Sequence, residues 1–457
     1  MAEITNPALL DAEELLQHYA TKTLTPLEAL QAVTERIARQ NPEINAFAVM
    51  NPRSLEAARE STERWQAGTP KGALDGVPVT VKDLIDIAGL PTRRGSKLTD
   101  PSPAATDAPI AAALRSAGAV IIGKTATTEF GWKSPGDSLL TGITRNPWNP
   151  AHTPGGSSSG AAAAAASGFG PLHVGTDAGG SIRIPAAWSG IVGLKPSFGR
   201  VPQWPLGAFG HVAVAGPMTR SVRDAALMLN VLARFDPRDP FALPDDPRDW
   251  RTGIEDGVLG MRIAVLANPG FAAPVDTDGL DALNIARRIL AEGGAVIEDV
   301  AIALPDSSVL FSRVWGAALC RLVDTIPEER RHLLDRGLPE VAARYRNVSA
   351  LEVLEGEALR VQAANAMAML HLNYDAVLCP CVPACAPPVD RRFDDPVHAL
   401  WNDWAPWTFL FNLTRQPAIS IPVGVNGAGL PRAVQIAAAL YRDDIALRAA
   451  RAVERAL

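Results

Sequence analysis

Cysteine is scarce here: four residues in a chain of 457. Three of them, Cys379, Cys381 and Cys385, form a Cys-Pro-Cys-x-x-x-Cys cluster that invites a metal reading. Structural zinc takes four ligands at paired spacings, and no second pair exists. The cluster also follows Tyr374-Asp-Ala-Val-Leu378, a short apolar run that reads as a buried strand, and leads into Pro387-Pro388. No metal is expected, and reduced thiols fit the cytoplasm. Long apolar runs are missing too. The longest candidate, Ala161 to Ala166, falls far short of the ~20 residues of a membrane helix and lies between Gly/Ser loops. The start, Met-Ala-Glu-Ile-Thr, lacks the basic and apolar regions of a secretion signal. Nor is there a block of Lys and Arg; the net charge is −6, which argues against a nucleic-acid partner. What the chain does have is apolar residues, 47% against 20% charged, enough for a large core in a soluble cytoplasmic protein.

The first seventy residues read as helices. Asp11 with Glu14, and Thr25 with Pro26 and Glu28, are capping-box starts ahead of amphipathic stretches. The pattern then changes. Gly76-Val-Pro-Val-Thr-Val-Lys82 predicts a strand with alternating faces. Ala111 to Ala117 predicts a helix, and Ala119-Val-Ile-Ile-Gly123 a buried strand. A similar unit recurs as a strand over Met261 to Leu266, a helix over Leu280 to Glu292 and a strand over Ala295 to Asp299. Such alternation predicts an α/β fold, with a mixed, mostly parallel central sheet covered by helices on both faces. The stretch from Asp236 to Asp249, dense in Pro and Asp, reads as an exposed connection. Leu304 to Leu372 is largely helical, and the carboxyl end returns to strand before a closing helix.

Two Gly/Ser-rich turns lie close together: Gly155-Gly-Ser-Ser-Ser-Gly160, entering an alanine helix, and Gly175-Thr-Asp-Ala-Gly-Gly-Ser181. Glycines let main-chain N–H groups converge on an anion at a helix start. A serine closing such a run sits beside its own oxyanion hole. Each turn alone could be a flexible linker. Neither supplies the Gly-Lys-Ser/Thr of a phosphate loop. Residues 156–160 do match Gly-x-Ser-x-Gly, the nucleophile elbow centred on Ser158, but that motif needs a strand directly before it. Here stands Asn146-Pro-Trp-Asn-Pro-Ala-His-Thr-Pro154, whose prolines cannot serve a central strand. A serine needs a base, and none of the seven histidines lies in a catalytic motif. Lys82, at the end of an apolar strand, is the alternative, because burial lowers a lysine pKa and frees the neutral amine.

Taken together, Pro78-Val-Thr-Val-Lys82-Asp83, the Gly-Gly-Ser-Ser turn and Asp177-Ala-Gly-Gly-Ser-Ile-Arg-Ile-Pro185 resemble the amidase signature family. Further similarity runs through Ala117 to Thr125, Glu129-Phe130, Arg145 to Trp148, Gly190 to Ser197, Gly216 to Arg220 with Asp224, and Asn412 to Ala418. It spans roughly residues 8–457. The resemblance implies one large domain: an N-terminal helical segment, residues 1–70, packed on a catalytic core, residues 71–457, within which residues 304–410 shape the substrate site. It implies Ser181 as nucleophile, Ser157 as bridging serine and Lys82 as base. The N–H groups of Ala178, Gly179, Gly180 and Ser181 would hold the oxyanion, with Asp177 and Arg183 ordering the loop and Ser158 supporting the triad from behind. Ser159 stands where the family usually has glycine, and Ala178 where it usually has a larger residue. No cofactor is implied. The family includes acylamidases, aryl-amide and carbamate (urethane) hydrolases, fatty-acid amide hydrolases and the glutaminase subunit of the tRNA-dependent amidotransferase. A small amide or carbamate is the expected partner of a monomer or homodimer, with esters also open to attack. Trp401, Trp404 and Trp407 are candidates for lining an aromatic-tolerant pocket or for packing.

Overall fold

The computed structural model describes residues 6–271, 274–390 and 405–457. Eleven strands form the central sheet: β1 (Phe47–Met50), β2 (Pro78–Lys82), β3 (Val120–Thr125), β6 (Leu172–Asp177), β7 (Val192–Lys195), β8 (Val214–Thr219), β9 (Arg262–Val265), β10 (Val296–Asp299), β11 (Ala376–Pro380), β12 (Ala418–Val425) and β13 (Pro431–Ala438). A short separate ribbon pairs β4 (Asp137–Ser138) with β5 (Gly142–Ile143). The sheet order is β1-β3-β2-β6-β8-β7-β12-β13-β11-β9-β10. Pairing is mixed, and its parallel parts are confined to two wings, β3-β2-β6 and β11-β9-β10. The middle runs antiparallel from β6 through β8, β7, β12 and β13 to β11, and of these β12 and β13 form a hairpin across a short turn, which cannot join parallel strands.

Both parallel wings come from the strand–helix–strand units expected from the sequence. Helix Pro109–Ser116 links β2 toward β3, and helix Thr277–Glu292 links β9 to β10. The predicted capping boxes at Asp11/Glu14 and Thr25/Glu28 are both formed, opening helices Ala12–Ala20 and Pro26–Ile44. Two expectations need correcting. The first seventy residues are not purely helical, since β1 joins the sheet edge antiparallel to β3. And β2 does not alternate: all five residues are buried, because helices cover both faces of this wing.

One core cluster runs from Ala12 and Leu15 through Val79, Val174, Trp250 and Ile263 to Val453, so the Asp236–Asp249 connection divides nothing. Trp250, just beyond it, is buried beneath the guanidinium groups of Arg200 and Arg248 at 4.8 and 4.9 Å. A second cluster gathers Phe311, Trp315 and Phe409 with Trp188 and Ile184, and so fixes helix Ser307–Asp324 against the region that follows β6. None of the helices among the described residues is long and apolar enough to cross a membrane.

Candidate active site

Strands β2 and β6 lie side by side and parallel, with Val81 opposite Val174. In such sheets the crevice beyond the carboxyl ends of the strands is where ligands settle. Lys82 is the last residue of β2, and Thr176 and Asp177 are the last two of β6, so the topology delivers all three to that crevice. Both Gly/Ser turns arrive at the same place. Ser158 caps helix Ser159–Ala166, and Ser181 stands two residues ahead of helix Arg183–Ser189. No strand precedes residues 156–160, as the reading against a nucleophile elbow required. The turns are joined directly, Ser158 N–H donating to the Ser181 carbonyl at 3.2 Å. The first is held from outside by Asn146, whose amide donates to the carbonyls of Thr153 (3.1 Å) and Trp188 (2.9 Å).

Lys82 is wholly buried. Its Nζ lies 2.8 Å from Ser157 Oγ, 2.9 Å from Ser158 Oγ and 2.9 Å from Thr176 Oγ1, with the Thr176 carbonyl at 3.5 Å. None of these neighbours is ionised. Burial pushes the lysine well below its ordinary range, against a weaker pull upward from Asp177. Ser158 Oγ in turn donates to the Thr176 carbonyl at 3.2 Å. Its hydroxyl proton is thereby committed, and it faces Lys82 as an acceptor.

Asp177 and Arg183 form a fully buried ion pair, Nε to Oδ2 at 2.9 Å and Nη2 to Oδ1 at 3.0 Å. Burial opposes ionisation of the carboxyl, yet the Arg183 charge and its hydrogen bonds hold Asp177 down at about 2. The carboxylate also accepts from the N–H groups of Gly180 (2.7 Å) and Ile182 (3.2 Å), which ties the Ser181 loop to β6. That contact corrects one expectation: Gly180 N–H is committed to Asp177 rather than open to an oxyanion. No acceptor among the described residues takes the N–H groups of Ala178, Gly179 and Ser181. Gly180 has φ +133°, and a Cβ there would press into Thr408 and Ile184.

Several residues that complete this arrangement went unremarked in the sequence. Asn412 donates to Asp177 Oδ1 (2.9 Å) and accepts from Arg183 (2.6 Å). Gln435 accepts from Arg183 Nη1, and Thr408 donates to the Gly179 carbonyl at 2.7 Å. Asn412 stands in the segment already singled out for its family likeness, and Thr176 within the Gly175–Ser181 turn; for Gln435 and Thr408 there was no local signal. Of the departures from the family pattern, Ser159 is accommodated with its hydroxyl toward the Ala126 carbonyl (3.4 Å), and Ala178 lines the cavity described next.

Ser157 and Ser181, 2% and 3% exposed, open onto a cavity of about 280 Å³. Its walls are largely apolar, with Phe130, Trp204 and Phe209 supplying rings and Leu322 reaching in from helix Ser307–Asp324. Trp407 is not among the lining residues; it is buried in a core cluster with Cys379, and Trp401 and Trp404 lie outside the described residues. The four cysteines are free. Cys379 and Cys381 are buried, and burial pushes both thiols up to about 12. Among the described residues no group of three or more His, Cys, Asp or Glu side chains is placed to hold an ion. His173 belongs to β6, opposite Thr80 of β2; it is bonded to Thr80 and Gly170 and is not among the residues lining the cavity.

Comparison with known proteins bears on the family and the fold. Residues 28–447 match the family described as Amidase. The chain is 34% identical to an acylamidase of Rhodococcus erythropolis, over 96% of this chain and 94% of that protein. It is 35% identical to a glutamyl-tRNA(Gln) amidotransferase subunit of Rhodopirellula baltica, over 96% and 95%. Among solved structures, a bacterial aryl acylamidase of the amidase signature enzymes superposes with a TM-score of 0.90 at 29% identity, covering 98% of this chain and 96% of the other. From the family match, the near full-length relatives and the shared architecture, the chain belongs to the amidase signature family, hydrolases that act on amides.

Proposed function

We propose that this chain is a stand-alone cytoplasmic hydrolase of small or aryl amides, monomeric or homodimeric, with Ser181 as nucleophile, Ser157 as relay and Lys82 as base. The observation that carries the reading is the buried amine of Lys82 within hydrogen-bond reach of Ser157. A neutral amine has two N–H donors and one lone pair. With Ser158 Oγ and Thr176 Oγ1 accepting the two donors, the lone pair is left for the Ser157 hydroxyl proton. Ser157 then takes the proton of Ser181, whose oxygen attacks the substrate carbonyl. Negative charge on the tetrahedral oxygen faces the free N–H groups of Ala178, Gly179 and Ser181. As the intermediate collapses, the relay runs backwards and protonates the leaving amine, without which an amide nitrogen does not depart. Water repeats the sequence on the acyl-enzyme and releases the acid.

The apolar, ring-lined cavity supports aryl or small alkyl groups on the substrate, and Leu322 supports a substrate-shaping role for residues 304–410. A carbamate or an ester presents the same carbonyl to Ser181, so urethane and ester hydrolysis belong to the same reading. Likeness to amidotransferase subunits, as high as that to the acylamidase, favours a second one: release of ammonia from glutamine inside a complex. Assay of the purified chain alone separates the two. Steady turnover of an anilide with little action on glutamine supports the first, and the reverse preference, emerging only with partner chains, supports the second. A panel of anilides, primary amides, carbamates and esters then sets the range.

A further inference from the structure

Arg94 is the only charged residue lining the cavity among the described residues. It lies on the loop after β2, and its main chain is fixed from both sides. Its N–H donates to the carbonyl of Asp83, the residue after Lys82, at 3.0 Å, and its carbonyl accepts from Phe130 at 2.8 Å. The residue is held at φ +51°, a left-handed conformation that an arginine adopts only under the constraint of its surroundings. The fixed backbone sets where the side chain leaves the loop, at the wall of the cavity that Ser157 and Ser181 share.

The guanidinium is poorly matched within the protein. Its nearest carboxylate, Asp86, is 3.6 Å away, beyond good hydrogen-bond length, and the Arg94 side chain is 30% exposed. None of its five N–H donors finds a hydrogen-bond acceptor among the described residues, whereas Arg64 and Arg183 each make several bonds. Other acids close by are engaged: Asp83 with Lys124 at 2.9 Å, and Glu129 with Ser96 at 2.6 Å. The remaining wall offers it little. Gln203, another polar lining residue, turns an amide N–H to the Ala213 carbonyl at 2.9 Å and accepts no hydrogen bond from Arg94. A planar fork of donors in an apolar wall is complementary to a carboxylate, which it can take through two parallel charge-assisted bonds.

We propose that Arg94 receives a carboxylate carried by the substrate, so that the preferred amides are anionic ones in which an apolar or aryl body links the scissile bond to a carboxyl group. This rests on the amidase reading above and narrows its substrate class. Bound this way, the carboxylate supplies the acceptors that Arg94 lacks, and the fixed loop holds the amide against Ser181.

Two matched substrate pairs test it. Succinanilic acid against butyranilide carries the carboxylate on the acyl side, and 4-acetamidobenzoate against acetanilide carries it on the amine side. In the wild-type enzyme at least one pair should favour the anionic member in kcat/KM. Arg94→Gln should collapse that preference by roughly tenfold to a hundredfold, the range expected for loss of a charge-assisted pair, through KM more than kcat. Arg94→Lys, which keeps the charge but not the fork, should restore part of it. High salt should weaken the wild-type preference and leave that of Arg94→Gln flat. Which pair responds assigns the side. The proposal is overturned if Arg94→Gln lowers both members of each pair equally while the melting temperature falls, since Arg94 then serves only the Asp86 contact. It is also overturned if neither pair shows a wild-type preference. Turnover of the neutral anilides by the wild type is a separate result: with it, failure of the Arg94 proposal leaves the amidase reading standing, and without it that reading itself fails.

Discussion

The Lys82 amine and the Ser157 hydroxyl lie 2.8 Å apart although 75 positions separate them in the chain. The contact exists because β2 and β6 pair in parallel and end together, and because the Gly155–Gly160 turn is tied both to Ser181 and, through Asn146, to helix Arg183–Ser189. Lys82 sits among hydroxyls and one carbonyl, without an anion in contact. Burial therefore dominates its ionisation and favours the uncharged amine that a base requires.

A pH prediction follows from that sign. kcat/KM should rise with pH as Lys82 loses its proton and level off well before the ordinary lysine range, because burial has moved the titration down. A rate still climbing through about pH 10 would instead report an unperturbed lysine. Stability should respond as well. Between the lowered folded pKa and the ordinary value the unfolded chain holds a proton that the folded chain does not, so stability rises with pH across that window. Lys82→Met should abolish turnover and flatten that slope in urea titrations at stepped pH.

Ser158 is predicted to matter through Lys82. Ser158→Ala removes an acceptor of the amine and leaves one N–H free to compete for Ser157. The expected result is a fall in kcat of roughly tenfold, the scale of one lost hydrogen bond, with KM little changed. An unaltered kcat, or a rise confined to KM, counts against this role.

Asp177→Asn tests the loop anchor. The substitution leaves Arg183 buried without its counter-charge, which typically costs about 3–5 kcal/mol, readable in the urea midpoint. The ion pair contributes stability above the unfolded carboxylate range, and that contribution disappears as pH falls toward the depressed value of about 2. The difference between wild type and variant should therefore shrink in acid.

Gly180→Ala should damage both stability and rate. The position has φ +133°, and the added methyl would meet Ile184 and Thr408, which itself holds the Gly179 carbonyl. Backbone strain and overpacking together suggest a loss of about 3 kcal/mol. A variant with wild-type melting and wild-type kcat would show that the turn has more freedom than this packing allows.

Much of the site was legible in the sequence because the residues that carry it stand in compact runs. Lys82 closes an apolar strand, and Ser157 and Ser181 each close a glycine run. Asp11 and Thr25 announced their helices through local capping chemistry, which needs no tertiary contact. The two-sided burial of β2 was not legible, because the covering helices come from elsewhere in the chain. Nor was β1, whose four residues pair only at the sheet edge. Asn412, Gln435 and Thr408 reach Asp177, Arg183 and Gly179 only through the β12–β13 hairpin and the helix before it, more than 220 positions on. Contacts of that range leave no period or spacing to read. Gly180 belonged to an expected set of donors by position, but the direction of its N–H depends on backbone angles that composition does not reveal.

The central claim is that Ser181 forms the acyl-enzyme, and trapping that adduct tests it most directly. The purified enzyme would be treated with a slowly deacylating aryl carbamate and measured by intact mass and peptide mapping, beside Ser181→Ala and Lys82→Met. The account predicts one carbamoyl group per chain on Ser181, none on Ser181→Ala, and much slower labelling of Lys82→Met. A modification mapping elsewhere, or Ser181→Ala hydrolysing amides at close to the wild-type rate, would contradict it.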